Sequence, residues 1–159
     1  MKILIFNWKD MKHPWAGGAE LNTYETAKGL IKLGHSVTWF TAKFEGLKSY
    51  EEYDGIKVYR AGSRYTVYLF AFLYYIFKFR GKFDFIIDVE NGIPFFTPLF
   101  SFKPKICVVH HVHLDVFKKE LPLGIHLIPY VLERYKMPFF YRNVPFVAVS
   151  DVTKRDMVE

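Results

Sequence analysis

Ile3-Leu4-Ile5-Phe6 is a short, unbroken apolar run, and its place ahead of a glycine loop and a helical pattern limits the fold more than any other feature of the chain. A run this short, apolar at every residue, suits a strand buried on both faces, the environment of a parallel sheet. A polar loop from Asn7 to Gly18 comes next. Thr23, Ala27, Leu30, Ile31 and Gly34 then fall at helical spacing, with Gly34 placed for a C-terminal cap. Val37 to Thr41 is a second strand. Strand, glycine loop, helix, strand is the unit of a sheet with right-handed crossovers. It predicts an α/β, Rossmann-like three-layer domain with a mainly parallel sheet.

The pattern recurs more loosely downstream. Gly55 to Ala61 reads as a strand after a Tyr/Glu/Asp-rich turn, Val67 to Phe79 as a helix and Phe85 to Val89 as a buried strand. Asn91-Gly92-Ile93-Pro94 breaks the chain. Ile106 to Val109 is a further strand, Leu127 to Phe140 a helix and Phe146 to Val149 a last strand. Ser150 or Asp151 then caps a helix starting near Val152. No repeat, low-complexity stretch or linker interrupts residues 1–159, which read as a single domain. The chain stops inside its last helix, which reads as a truncation.

Charge and apolar content narrow the classes. Lys+Arg exceeds Asp+Glu by 22 − 16 = 6 over 159 residues, an excess compatible with phosphate ligands or an anionic membrane face. No cluster of five or more basic residues appears, which weighs against nucleic acid. The apolar run Ile3 to Phe6 is too short for a signal-peptide core, and Thr66 to Phe77 falls short of the ~20 residues of a membrane span. Cys107 is the sole cysteine and makes no intramolecular disulfide. These features predict a cytoplasmic protein.

Open parallel sheets bind ligands at the carboxyl ends of their strands. There the sequence places Asn7, Trp8, Gly17, Gly18, Asp88, Glu90, Asn91, His110, His111, His113, Ser150 and Asp151. Gly17-Gly18 precedes the first helix, where free N–H groups favour phosphate. A flexible turn is the other reading of that pair. Both G-x-G-x-x-G and G-x-x-x-x-G-K-[ST] are absent, which argues against an NAD enzyme and a P-loop NTPase. His110-His111-Val112-His113 follows a strand and could contact a phosphate or a sugar hydroxyl. Asp88 and Glu90 could hold a divalent cation or cap the Asn91-Gly92 turn. With the histidines they make a rival reading, a metal-dependent hydrolase. In the aromatic segment Val67, Phe70, Tyr74 and Phe77 share one helical face and are expected in the core. Tyr68, Phe72, Tyr75 and Phe79 are then partly exposed near an acceptor cleft or a membrane surface.

Taken in order, six segments resemble the family-4 glycosyltransferases, a retaining group of two-domain (GT-B) enzymes. They begin with the strand Lys2 to Phe6 and the segment Pro14-Trp15-Ala16-Gly17-Gly18-Ala19-Glu20. Leu30 to Thr41 is similar to the family's run ALAxxGHEVTLFT. Asp88 to Leu99 resembles DEINGIPFFTPL, and Ile106 to Phe117 resembles HHLHREVF. Val147 to Ser150 with Thr153-Lys154 resembles VTVSESTK. Asp151 replaces a usual Glu and Leu114-Asp115 replaces Arg-Glu, so those positions receive no role.

The resemblance implies the Rossmann-like N-terminal half of a GT-B fold, with a donor-binding C-terminal domain missing from these residues. It implies a nucleotide-sugar donor as substrate, no cofactor, no metal, and an acceptor that is a sugar, a lipid-linked molecule or a small molecule. Peripheral contact with the inner face of the membrane is compatible with it. By the resemblance Gly17 and Gly18 would meet the donor diphosphate and His110 the transferred sugar, with Asn91, His111 and Ser150 as further substrate contacts. The other reading of the same fold is a stand-alone module that binds a phosphorylated ligand without catalysis.

Overall fold

The computed structural model describes residues 1–110 and 136–158. Seven strands form one sheet among them: β1 (Lys2–Phe6), β2 (Ser36–Thr41), β3 (Tyr50–Tyr53), β4 (Ile56–Arg60), β5 (Phe85–Glu90), β6 (Lys105–Val109) and β7 (Phe146–Ala148). Their spatial order is β3-β4-β2-β1-β5-β6-β7. Every pairing is parallel except β3 with β4. The helices are α1 (Gly18–Lys32), α2 (Val67–Tyr74), the short α3 (Met137–Phe140) and α4 (Asp151–Val158). Among the described residues no helix is long and apolar enough to cross a membrane.

The apolar run that opens the chain is divided between two cores, as alternation along a strand requires. Ile3 and Ile5 pack with Val37, Trp39 and Ile87 on the face that α1 covers through Ala27. Leu4 and Phe6 pack with Phe40, Ile86 and Phe95 on the face that α2 covers through Val67 and Ala71. The result is the predicted three-layer arrangement. Gly34 ends α1 with a φ of 83°, donating its N–H to Ile31 and leaving the His35 N–H to reach Leu30. That pair of bonds is the left-handed glycine cap expected from the sequence.

Two expectations are corrected. The Tyr/Glu/Asp-rich turn is itself a strand, β3, paired with β4 across Asp54-Gly55, both at positive φ. A two-residue Asp-Gly turn with that backbone is a hairpin signal, and it outweighs the polarity of Glu51 and Glu52 on an edge strand. The second correction concerns the aromatic helix. Its buried face is Val67, Ala71, Tyr75 and Phe79, whereas Phe77 is 83% exposed and Phe70 is exposed as well. The expected face gives weight to large aromatics and overlooks Ala71. After Tyr74 the backbone also widens into a π turn over Tyr75–Phe79, closed by the Arg80 N–H on the Tyr75 carbonyl at 2.7 Å. A wider turn reverses the drift that successive four-residue steps accumulate in an α-helix, so Phe79 stays beneath Tyr75.

Candidate active site

From β1 the chain steps through β2 to β4 and then returns to place β5 on the other side of β1. The strand order therefore reverses between β1 and β5, and an open α/β sheet has its crevice at such a switch point. A cavity of about 400 Å³ lies there, lined by Gly17, Gly18, Glu20, Asn91 and His110, with Lys9 at its side. These residues come from the loop after β1, the start of α1, the loop after β5 and the end of β6. The structure thus brings together Gly17, Gly18, Asn91 and His110, which the sequence places on one rim.

Helix α1 begins at the cavity. Its first internal hydrogen bond runs from the Leu21 N–H to the Gly17 carbonyl at 3.0 Å, so the amides of Gly18, Ala19 and Glu20 have no acceptor within the helix. Gly17 is extended at the N-cap, and its own N–H donates to the Glu20 carboxylate at 2.7 Å. A Cβ added at Gly18 would meet nothing within 4 Å. The fold therefore does not require glycine at position 18, and a side chain there would enter open space.

Glu20 has no role in the sequence motif that contains it, yet it organises the site. Its fully buried carboxylate accepts from Gly17 on one oxygen and from the Asn91 side-chain amide, at 3.0 Å, on the other. Lys9 lies 3.3 Å from Glu20 and also donates to the Trp15 carbonyl at 2.7 Å. A buried carboxylate is tolerable only if its charge is offset, and Lys9 does this. The legible signal is position: an acidic residue three places after an N-cap is the partner half of a capping box. Trp8 joins the same assembly by donating its indole N–H to the Asn91 carbonyl at 3.1 Å. Asn91 is therefore held from two sides.

His110 closes the cavity from β6. It is 4% exposed, its N–H donates to the Glu90 carbonyl at 3.2 Å, and its carbonyl accepts from the Thr153 hydroxyl at 3.1 Å. Ser150 stands apart from the cavity. Its hydroxyl accepts from the Thr153 N–H at 3.1 Å and so caps α4, and it lines a neighbouring hollow with Asp151 and Lys154. Through Thr153 it supports the backbone of His110. His111 and His113 lie outside the described residues, as does most of the helix expected from Leu127.

The carboxylates of β5 serve the loop after it. Asp88 is fully buried and accepts from the Phe95 N–H at 3.1 Å, the Thr97 N–H at 3.3 Å, the Thr97 hydroxyl at 2.8 Å and the Tyr141 hydroxyl. Burial pushes its carboxyl up from the ordinary value, against the opposing pull of the hydrogen bonds from Tyr141, Thr97 and the Phe95 amide. Burial, with the Asp88 charge behind it, also holds the Tyr141 hydroxyl well above its usual value. Glu90 accepts from the Gly92 N–H at 2.8 Å. Glu90 thus caps the Asn91-Gly92 turn, the second of the two roles open from the sequence, whereas Asp88 secures the loop further on, at Phe95 and Thr97. Among the described residues no group of three or more His, Cys, Asp or Glu is arranged to hold a metal ion.

The fold and the cleft together define a Rossmann-like α/β domain with its cavity at the switch point of the sheet. A family model described as Glycosyltransferase Family 4 matches residues 16–159, which include all of these cavity residues except Lys9. The chain belongs to glycosyltransferase family 4, as an N-terminal domain of such an enzyme. Its activity class is therefore glycosyl transfer and its substrates are sugars. Comparison with curated proteins found none that matches.

Proposed function

We propose that the cavity at the β1/β5 switch point receives the diphosphate and the transferred sugar of a nucleotide-sugar donor, and that the sugar passes to an acceptor hydroxyl with retention of configuration. The observation that carries this reading is convergence. The amides of Gly18 and Ala19 at the start of α1, the held side chain of Asn91 and the buried His110 meet in one cavity. Helix N-terminal amides suit the charge that grows on a departing phosphate, because they are already oriented when the bond breaks. In the transfer the bond from the anomeric carbon to the diphosphate breaks and a bond to the acceptor oxygen forms. The acceptor proton leaves with the phosphate. The family resemblance supports retention and a second domain that supplies most donor contacts. On that reading residues 1–159 hold half of the catalytic cleft and do not transfer sugar alone. The protein works on the cytoplasmic side, on a sugar, lipid-linked or small-molecule acceptor.

His110 supports this reading through its burial and its place at the end of β6, where a ring contact to the sugar is sheltered from water. In the two-domain enzyme His110→Ala should lower kcat/KM about tenfold or more, the effect of losing a hydrogen bond worth roughly 1–3 kcal/mol in the transition state. His113→Ala should have the smaller effect. Steady-state kinetics of the two variants decide it. Equal losses, or the reverse order, remove the assignment.

A further inference from the structure

Arg60, the last residue of β4, is buried at 1% exposure two strands away from β1, and it does not line the sugar cavity. Its guanidinium donates from Nε to Asp10 and from Nη1 to Glu51 and to the Lys48 carbonyl, the last at 3.0 Å. Asp10 is as deeply buried as Arg60. Lys12 completes the cluster on the other oxygen of Glu51. Charges taken out of water in this way are a poor source of stability, because apolar side chains of similar volume often pack as well or better. What such a cluster can supply is a fixed geometry. Here that geometry belongs to the loop between β1 and α1.

Between Trp8 and Gly17 the loop contains no strand and no helix. A series of hydrogen bonds that starts at Arg60 gives it its form. Asp10 accepts from Arg60 on Oδ2 and from the Lys12 N–H on Oδ1 at 2.7 Å. The Asp10 carbonyl accepts from the His13 N–H at 3.1 Å. His13 then accepts the Ala16 N–H on its carbonyl at 2.9 Å and the Trp15 N–H on its ring Nδ1 at 3.1 Å. The Trp15 carbonyl receives the Lys9 ammonium at 2.7 Å, which stands 3.3 Å from the Glu20 carboxylate. Lys9 and Asp10 are neighbours in sequence. The turn that Asp10 pins is therefore the turn that aims Lys9 at the cavity.

We propose that Arg60 is a positioning residue for glycosyl transfer: through Asp10 it holds the β1–α1 loop in the form that keeps Lys9 beside Glu20 at the cavity wall. The inference rests on the reading of that cavity as the diphosphate site. Lys9 acts there by charge. The Glu20 carboxylate lies against the Gly17 amide, and without a cation beside it the site would repel phosphate oxygens. Phosphate charge is present in the bound donor and in the transition state alike. Loss of the offset should therefore raise KM for the donor and leave kcat nearly unchanged.

Asp10→Asn isolates the link. An amide has one acceptor oxygen where a carboxylate has two, so it cannot receive both the Lys12 N–H and Arg60. Glu51 remains as the counter-ion of the guanidinium, and no buried charge is left alone. In the two-domain enzyme this variant should raise KM for the nucleotide sugar about tenfold, with kcat changed less than about twofold and the melting temperature nearly kept. Arg60→Lys keeps the charge without the fork and should act in the same direction. Lys9→Ala should match Asp10→Asn, and combining the two should raise KM no more than about twofold further, because both act at one point. In the ¹⁵N-labelled chain without ligand, the Gly17 amide and the Asn91 side-chain amide, both donors to Glu20, should shift alike in the two single variants. An unchanged KM in Asp10→Asn overturns the inference, as do effects that add fully with Lys9→Ala, or unmoved Gly17 and Asn91 signals. A fall in melting temperature that tracks KM across the variants overturns it in favour of a purely structural cluster. Gly18→Val, assayed alongside, separates this inference from the reading beneath it. Retained activity in Gly18→Val removes the cavity assignment itself, whereas activity lost there and kept in Asp10→Asn removes only the role of Arg60.

Discussion

Replacing Gly18 with Val in the two-domain enzyme should lower kcat/KM by about a hundredfold or more while the melting temperature stays nearly constant. Position 18 is the first residue of α1, it has ordinary helical backbone, and a Cβ there meets no atom within 4 Å. Valine is a slightly better helix residue than glycine, so the fold has no reason to suffer. The cavity has every reason to. The branched side chain would stand in front of the Gly18 and Ala19 amides, where on the proposed reading a diphosphate approaches to within hydrogen-bond distance. Losing one preorganised donor to developing charge costs roughly 2.7–4 kcal/mol, or a hundredfold to a thousandfold in rate. Kinetics and a thermal melt on the same preparation check this. Retained activity, or activity lost together with melting temperature, would make the Gly-Gly pair a structural turn.

The opposite separation is expected at Asp88. Asp88→Ala should destabilise the domain by about 3–5 kcal/mol in urea unfolding, because each buried donor left without an acceptor costs about 1–3 kcal/mol. Four donors are affected: the Phe95 and Thr97 amides and the Thr97 and Tyr141 hydroxyls. The loop they secure contains Phe96 at a φ of 53°, a left-handed conformation that costs a bulky residue of order 1–3 kcal/mol. The amides Asp88 holds lie on either side of that residue, so its carboxylate fixes the strained turn in place. A loss below about 1 kcal/mol, the size of an unremarkable substitution, would show that the loop is held by other means.

Much of the architecture is legible in the sequence because the signals are local. Ile3 to Phe6, Gly34 and the Ser150 cap each carry their meaning within a few residues, and each forms as read. The site rim is legible for a related reason: in a parallel sheet, residues at strand ends converge whatever the distance between them in sequence. The features that escape the sequence depend on partners. Glu20 is a helix residue of ordinary appearance until Asn91, from a loop 71 positions away, meets its carboxylate. Lys9 gains its role only through Glu20. Ala71 occupies the core because a small side chain lets α2 approach the sheet, and the π turn that keeps Phe79 inward has no counterpart in simple helical periodicity. Ser150 sits at a strand end, where substrate contacts are expected, yet its hydroxyl is engaged in the α4 cap.

The claim on which the rest depends is that phosphate oxygens are received at the start of α1 beside His110. Titration of the ¹⁵N-labelled chain with inorganic pyrophosphate, followed by amide chemical shifts, tests it most directly, since even weak binding registers at single residues. Saturable shifts are expected at Gly17, Gly18, Ala19, Glu20, Asn91 and His110, and they should disappear in Gly18→Val. Shifts that leave these amides unmoved would contradict it.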